Sequence, residues 1–136
     1  SFFDDLIVDT LKKMSFSTIP SQEERDRLWR NGNEWKIILK TWGIEEPKKF
    51  WSIFDDLDFE KRKQFILNGK IKPFPETAIT LEKIKAMDVK IAILTNTIQK
   101  ITKYTLEYFN LKHFIDYSQS MGDMQEKCKP ESSMVN

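Results

Sequence analysis

The chain has 136 residues, with 22 Lys and Arg against 21 Asp and Glu and a formal net charge of +1. This balance gives no overall field that would attract nucleic acid or an anionic membrane. No apolar run approaches the roughly 20 residues that a membrane span needs, and a single cysteine, Cys128, is typical of a reducing compartment. We therefore expect a cytoplasmic protein that binds neither nucleic acid nor a membrane.

A short strand is predicted at the start of the chain. Phe2-Phe3 is an apolar pair, and the acidic pair Asp4-Asp5 follows at the expected carboxyl end of that strand. In an open α/β sheet, ligands bind outside the carboxyl ends of the strands. Asp4-Asp5 is therefore a candidate for a ligand-binding or catalytic site.

The segment from residue ~14 to residue ~75 is predicted to be helical. Ser21 followed by Glu24 forms a capping box, which predicts the start of a helix. Gly43 is placed to end a helix, and Pro47 suits the first turn of the next one.

A further helix is expected between Asp58, as its cap, and Asn68-Gly69, as its end. The charge run at residues 60–63 is interpreted as a solvated face of that helix. All four tryptophans of the chain lie in the helical segment, and aromatic stripes at helical spacing usually form core. We therefore assign the tryptophans to packing rather than to cofactor binding.

The hydrophobic pattern changes after Pro73-Phe74-Pro75. The pattern predicts a helix over residues 76–87, a buried parallel strand over residues 89–94 and another strand over residues 114–117. Either residue of the pair Asn96-Thr97 is expected to cap the helix between the two strands. Alternating helices and strands predict an α/β fold with a helical insertion.

Thr95 and Asn96 follow the first of these strands, at the sheet edge where Asp4 is also expected. A helix that begins just after Thr95 would point free backbone N–H groups at this edge, which favours phosphate binding. Taken alone, Thr95 is equally consistent with a simple helix cap.

Three segments together carry a family resemblance: residues 2–10 (FFDDLIVDT), residues 91–96 (IAILTN) and Lys129-Pro130-Glu131. In this order they resemble motifs of the haloacid dehalogenase superfamily, in particular its phosphoglycolate-phosphatase-like branch with a helical cap. Those motifs are an opening D-x-D-[GD]-T-L-V-D-T, a strand that ends in Ser or Thr, and a lysine motif K-P-x-P. The segment KPFPE at residues 72–76 resembles the return from cap to core.

The resemblance implies a Rossmann-like parallel-sheet core, formed by residues 1–13 and 76–136, with an all-helical cap inserted at residues 14–75. It implies a Mg²⁺-dependent phosphatase that hydrolyses a small phosphorylated metabolite through an aspartyl-phosphate intermediate.

The same resemblance assigns roles to individual residues. Asp4 is expected to be catalytic and to bind Mg²⁺, whereas Thr95 and Asn96 are expected to bind phosphate. Lys129 is expected both to bind phosphate and to be catalytic. Only seven residues follow Lys129, and none supplies the acidic metal motif of the family. We therefore expect the core to be incomplete at its C-terminal end and the chain to belong to a longer one.

The first motif also departs from the family pattern. Without gaps, Phe2 occupies the position of the nucleophile, Asp4 that of the acid/base, and Leu6 that of the threonine. With a gap after Asp4, Asp4 itself would be the nucleophile. Because phenylalanine cannot attack phosphorus, a non-catalytic relative that binds a phosphorylated ligand or a protein is an alternative. A metal-independent dehalogenase of 2-haloacids is a third one.

Overall fold

The computed structural model describes residues 1–30 and 34–121. The helices and strands are α1 (Phe2–Lys13), α2 (Gln22–Arg30), α3 (Trp35–Thr41), α4 (Pro47–Leu67), α5 (Thr77–Ala86), β1 (Ala92–Ile98), α6 (Gln99–Tyr108) and β2 (Tyr117–Met121), with a 3₁₀ turn at Lys112–Phe114. The chain forms two compact units, Ser1–Asp58 and Phe59–Asn136. Within the described ranges, no helix combines the length and the apolar character needed to cross a membrane.

The strand predicted at Phe2-Phe3 is wrong, because these residues begin the helix α1. Ser1 caps the helix, its Oγ accepting a hydrogen bond from the Asp4 backbone N–H at 3.4 Å. The acidic residues of the first turn favour the positive end of the helix dipole. The residues that α1 buries lie in two pairs, one helical turn apart: Leu6 with Ile7, and Thr10 with Leu11. Asp4-Asp5 therefore lies in a first helical turn and not at the end of a strand.

The capping box at the start of α2 is confirmed. The backbone N–H and the hydroxyl of Ser21 both donate to Glu24 Oε2, at 2.8 and 2.9 Å. The Glu24 backbone N–H donates in return to Ser21 Oγ at 3.4 Å. Gly43 follows the end of α3 with a φ of +83°, and α4 begins at Pro47 as predicted.

The separate helix predicted to begin at Asp58 is wrong, since α4 continues through this position to Leu67. The sequence from residue 47 to residue 67 has no internal glycine or proline that would break a helix. Asp58 is buried, with 5 % of its surface exposed, within the continuous helix. The expected end at Asn68-Gly69 is confirmed by the positive φ of Gly69, +70°.

An aromatic cluster forms the core of the first unit. Trp51 is its most central member, with 2 % of its surface exposed. The centroid of its ring lies 5.1 to 6.0 Å from those of four neighbours: Trp29, Trp35, Phe50 and Phe54. The packing role predicted for the tryptophans is confirmed for Trp51.

The second unit contains the sheet, in which β1 and β2 pair in parallel. The predicted α/β class with a parallel sheet is therefore confirmed. The predicted boundaries differ, because β1 starts at Ala92 and extends past Leu94 to Ile98. Its β-branched residues favour an extended chain and explain the extension. The strand predicted at residues 114–117 is replaced by the 3₁₀ turn, and β2 begins at Tyr117.

Asp116 joins the segments that precede the two strands. Its backbone N–H donates to the carbonyl oxygen of Ile91 at 2.9 Å, and the Ile91 N–H donates to Asp116 Oδ2 at 2.8 Å. Lys85 Nζ, on α5, donates to both carboxylate oxygens at 2.9 and 2.8 Å. The Lys85 hydrogen bond and then the Ile91 N–H lower the pKa of Asp116 to about 2. Asp116 thus fixes the start of the β1–β2 pairing.

Candidate functional site

Thr95 lies in β1 where the pairing with β2 is irregular. The register is regular up to Leu94 opposite Gln119, and it then shifts before Ile98 opposite Met121. Within this irregular segment, the Thr97 N–H donates to Thr95 Oγ1 at 3.0 Å. Such irregularities in strands often lie beside active sites, where they re-aim a side chain. Because Thr95 Oγ1 is an acceptor in this bond, its own proton is available for donation.

A cavity of about 260 Å³ is lined by Thr95 in the second unit. The strand contributes Ile93, Thr95 and Thr97, which are alternate residues and therefore point to one face of the sheet. The opposite wall comes from α6, and the C-terminal part of α4 contributes Arg62. The cavity thus brings a predicted phosphate-binding residue together with a cation.

The polar groups of this cavity fall into two sets. Thr102 Oγ1 and Thr105 Oγ1 donate to backbone carbonyl oxygens one turn earlier, at 3.3 and 2.8 Å. Their protons are therefore used at Ile98 and Ile101. The hydroxyls of Thr95 and Thr97, on the strand, are the candidates for contact with a ligand. Isoleucine side chains form much of the remaining wall, and such apolar surroundings strengthen polar contacts with a ligand.

Asn96 does not line this cavity, because successive strand residues point to opposite faces. It is exposed, whereas Thr95 and Thr97 are partly buried. The phosphate contact expected from Asn96 stays a prediction, and it would require the other face of β1. The expectation that Asn96-Thr97 caps α6 is wrong. The N-cap is Ile98, which offers no side-chain cap bond, because β1 continues as far as that residue.

Asp4 forms a bidentate ion pair with Arg25 in the first unit. Arg25 Nε donates to Oδ1 at 2.6 Å, and Arg25 Nη2 donates to Oδ2 at 2.9 Å. The side chains are 18 % and 13 % exposed, and Arg25 Nη1 also donates to the carbonyl oxygen of Pro20. The hydrogen bond from Arg25 is the main cause that lowers the pKa of Asp4, and it also raises the pKa of Arg25. The pair connects α1 to α2.

Asp4 is the residue predicted to bind Mg²⁺, and its surroundings decide whether it can do so. Residues 1–30 and 34–121 contain no group of three or more His, Cys, Asp or Glu side chains that could hold a metal ion. Both carboxylate oxygens of Asp4 face the Arg25 guanidinium, which would repel a divalent cation at the same position. The described arrangement of Asp4 therefore does not fit a magnesium ligand.

The other expected site residues are distributed as follows. Asp4 belongs to the first unit and Thr95 to the second. Lys129 lies outside the described residues. The division into a core at residues 1–13 and 76–136 and a cap at residues 14–75 stays a prediction.

A larger cavity of about 410 Å³ lies in the second unit. Lys103 and Lys112 line it, together with the whole of β2. Asp4, Thr95 and Asn96, the described residues to which the family resemblance assigns a role, are not part of its wall. Size alone is a weaker argument than chemistry, so the smaller cavity with Thr95 is the better candidate site.

Arg62 is the cavity residue that sequence analysis missed. It belongs to the charge run of residues 60–63, which was interpreted as a solvated face, yet Arg62 is partly buried. One signal could have identified it. Ile66 lies one helical turn further along α4 and lines the same cavity, which indicates that this face of the helix is turned inward.

Comparisons with known proteins identify a family and a relative. The family model of the haloacid dehalogenase-like hydrolases matches residues 3–136. The phosphoglycolate phosphatase of Aquifex aeolicus (strain VF5) is 32% identical over 76 residues, which cover 54% of this chain and 35% of that protein. No solved structure gives a significant match. Because the family model matches nearly the whole chain, the chain belongs to the haloacid dehalogenase-like hydrolase family.

Proposed function

We propose that the whole protein is a phosphatase that hydrolyses a small phosphorylated metabolite. Membership of a hydrolase family supports the reaction type, and similarity to a phosphoglycolate phosphatase supports a phosphate ester as substrate. The structural observation that carries the proposal is the position of Thr95. Thr95 lies on β1, and its side chain lines a cavity of about 260 Å³ in the second unit.

In this proposal the Thr95 hydroxyl donates to a phosphoryl oxygen, and Lys129 supplies a positive charge to the same group. A carboxylate attacks phosphorus, the ester P–O bond breaks, and the alcohol leaves with a proton from a second carboxylic acid. Water, deprotonated by that second carboxylate, then attacks the aspartyl phosphate and releases inorganic phosphate and the free aspartate. Asp4 acts in this reaction as nucleophile or as acid/base, and either role requires that its carboxylate separate from Arg25. A Mg²⁺ requirement, based on the family, and a cytoplasmic location, based on the single cysteine, are further parts of the proposal.

A panel of phosphate monoesters, assayed with and without Mg²⁺ on the whole protein, tests the proposal. We expect Mg²⁺-dependent turnover that Asp4→Asn abolishes. Asp5→Asn is the matched control, because Asp5 is the adjacent acidic residue and is exposed. Lys129→Ala should weaken all esters alike, since the phosphoryl group is common to them. Absence of turnover on every ester, with Asp4→Asn no different from the parent, would contradict the proposal.

The non-catalytic relative is a second candidate, and the ion pair between Asp4 and Arg25 favours it. A carboxylate held on both oxygens by a guanidinium contributes to structure without any catalytic role. This candidate predicts that phosphate binds to the whole protein without turnover of any ester. It also predicts that Asp4→Asn and Arg25→Ala lower stability to a similar extent and leave phosphate affinity unchanged.

A further inference from the structure

Thr97 lines the cavity of about 260 Å³ beside β1. It lies two residues after Thr95 on the same strand, so both side chains point to the same face of the sheet. Thr97 is partly buried, and its hydroxyl forms no hydrogen bond with the part of the chain that the structure describes. Thr102 and Thr105 also line the cavity, but their hydroxyl protons are donated to backbone carbonyl oxygens. Thr97 therefore keeps its hydrogen-bonding capacity for a ligand.

The wall of this cavity is largely apolar, and Ile93, Ile101 and Leu106 are among its residues. A hydroxyl that is held in such surroundings without a hydrogen-bond partner costs free energy. A polar atom of a bound ligand would remove this cost, whereas an alkyl group at the same place would not. The cavity therefore favours a ligand that brings a hydrogen-bonding group to Thr97.

The spacing of the two threonines indicates which part of a ligand reaches Thr97. A strand rises about 3.3 Å per residue, so positions 95 and 97 are about 6.6 Å apart along β1. The Thr97 backbone N–H donates to Thr95 Oγ1 at 3.0 Å, which leaves the Thr95 proton for a phosphoryl oxygen. With the phosphoryl group at Thr95, the Thr97 hydroxyl meets an atom a few bonds away from phosphorus, in the organic part of the ester.

We propose that Thr97 is a specificity-determining residue whose hydroxyl binds an oxygen atom in the organic part of a small phosphate monoester. The proposal deepens the function proposed above and rests on it for the substrate class. It selects esters that carry a hydroxyl or a carboxylate near the phosphate over alkyl esters of the same size. A site built to hydrogen-bond such a group discriminates against analogues that lack it.

Calorimetric titration of the whole protein with two phosphonates tests the proposal, because a phosphatase does not cleave their P–C bond. 3-Hydroxypropylphosphonate carries a hydroxyl where butylphosphonate carries a methyl group. We expect the parent to bind the hydroxylated compound about three- to tenfold more tightly, the factor for one neutral hydrogen bond. Thr97→Val should abolish this preference and leave the affinity for butylphosphonate within about twofold of the parent, since only the hydroxylated compound uses the Thr97 hydroxyl.

Two further variants are the controls. Thr97→Ser retains the hydroxyl and should retain the preference. Thr80→Val removes a threonine hydroxyl at an exposed position of α5 and should leave both affinities unchanged. Thr97→Val itself keeps the backbone N–H, so the bond to Thr95 Oγ1 is available in every variant. A change of preference in Thr97→Val therefore reports the hydroxyl and not the orientation of Thr95.

The outcomes separate this inference from the proposed function. Equal affinity of the parent for the two phosphonates, no binding of either, or an equal loss of both in Thr97→Val would overturn the role of Thr97. Turnover of phosphate esters would still support the phosphatase proposal in those cases. A preference that depends on Thr97, in a protein without turnover, would support the role of Thr97 and contradict the phosphatase proposal.

Discussion

The two units of the chain differ in what surrounds their polar side chains. In the first unit, Asp4 and Arg25 satisfy each other and connect α1 to α2. In the second unit, the Thr95 side chain lines a cavity that can admit a ligand. The role of a motif residue therefore depends on the groups that surround its side chain. A carboxylate already held by a guanidinium stabilises a helix pair, whereas a hydroxyl at a cavity can bind a substrate.

The largest expected effect concerns the aromatic core of the first unit. Trp51→Ala should lower the free energy of unfolding by about 3–5 kcal/mol, because it leaves a large void among packed rings. Ile37→Ala, at a position 65 % exposed in the same unit, should change it by less than about 0.5 kcal/mol. Urea denaturation of both variants measures the difference. Similar losses in the two variants would show that the ring cluster is not the core.

The second prediction concerns the partly buried ion pair between Asp4 and Arg25. Arg25→Ala should cost roughly 1–3 kcal/mol, because it leaves the Asp4 carboxylate without its hydrogen-bond donors. The double variant with Asp4→Asn should cost less than the sum of the single variants. Arg27→Ala, at an exposed position of α2, is the control for loss of charge. Fully additive losses would contradict the ion pair.

The third prediction concerns how the thermal stability of the protein changes at acidic pH. The pKa of Asp116 falls from 3.8 to about 2 in the folded chain, chiefly through Lys85. Its contribution is therefore fully present above pH 3.8 and is lost as the pH falls towards 2. Asp116→Asn should lower the Tm at pH 7 and bring it close to that of the parent at pH 2. A Tm difference that is the same at both pH values would contradict this assignment.

The smallest effect is expected for an exposed ion pair of the second unit. Lys112 Nζ lies 3.1 Å from Glu107 Oε1, with side chains 65 % and 44 % exposed. Lys112→Ala should change the free energy of unfolding by no more than about 0.5 kcal/mol, because water and salt screen exposed pairs. A loss of free energy as large as that of Arg25→Ala would mean that burial does not explain the difference between the two ion pairs.

Local signals in the sequence predicted much of the fold. The capping box at Ser21, the start at Pro47 and the end at Gly69 depend on short-range chemistry, and all three are found. The strand at Phe2-Phe3 was wrong because a short apolar pair before acidic residues fits a strand or a first helical turn equally. In the structure, Leu6 and Ile7 are buried together with Thr10 and Leu11 one turn later, and this spacing is that of a helix.

The candidate site was only partly predictable. The position of Thr95 after an apolar run was enough to mark it as a candidate, and in the structure its side chain lines a cavity. Arg62 could not be identified in the same way, because β1 and α6, which line the cavity with it, are distant in the sequence. A run of charged residues on a helix does not indicate which of its side chains faces the protein interior. Packing of α4 in the second unit determines that.

A phosphate site at the cavity lined by Thr95 is tested most directly by one measurement. This is the kcat/KM of the whole protein for a simple aryl phosphate, in two threonine variants. Thr95→Val removes the hydroxyl at the cavity, and Thr80→Val removes one at an exposed position of α5. We expect Thr95→Val to lower kcat/KM by at least about tenfold, through loss of a hydrogen bond to a charged group, and Thr80→Val to leave it unchanged. Equal kcat/KM in Thr95→Val and the parent, or an equal loss in both variants, would contradict a phosphate site at this cavity.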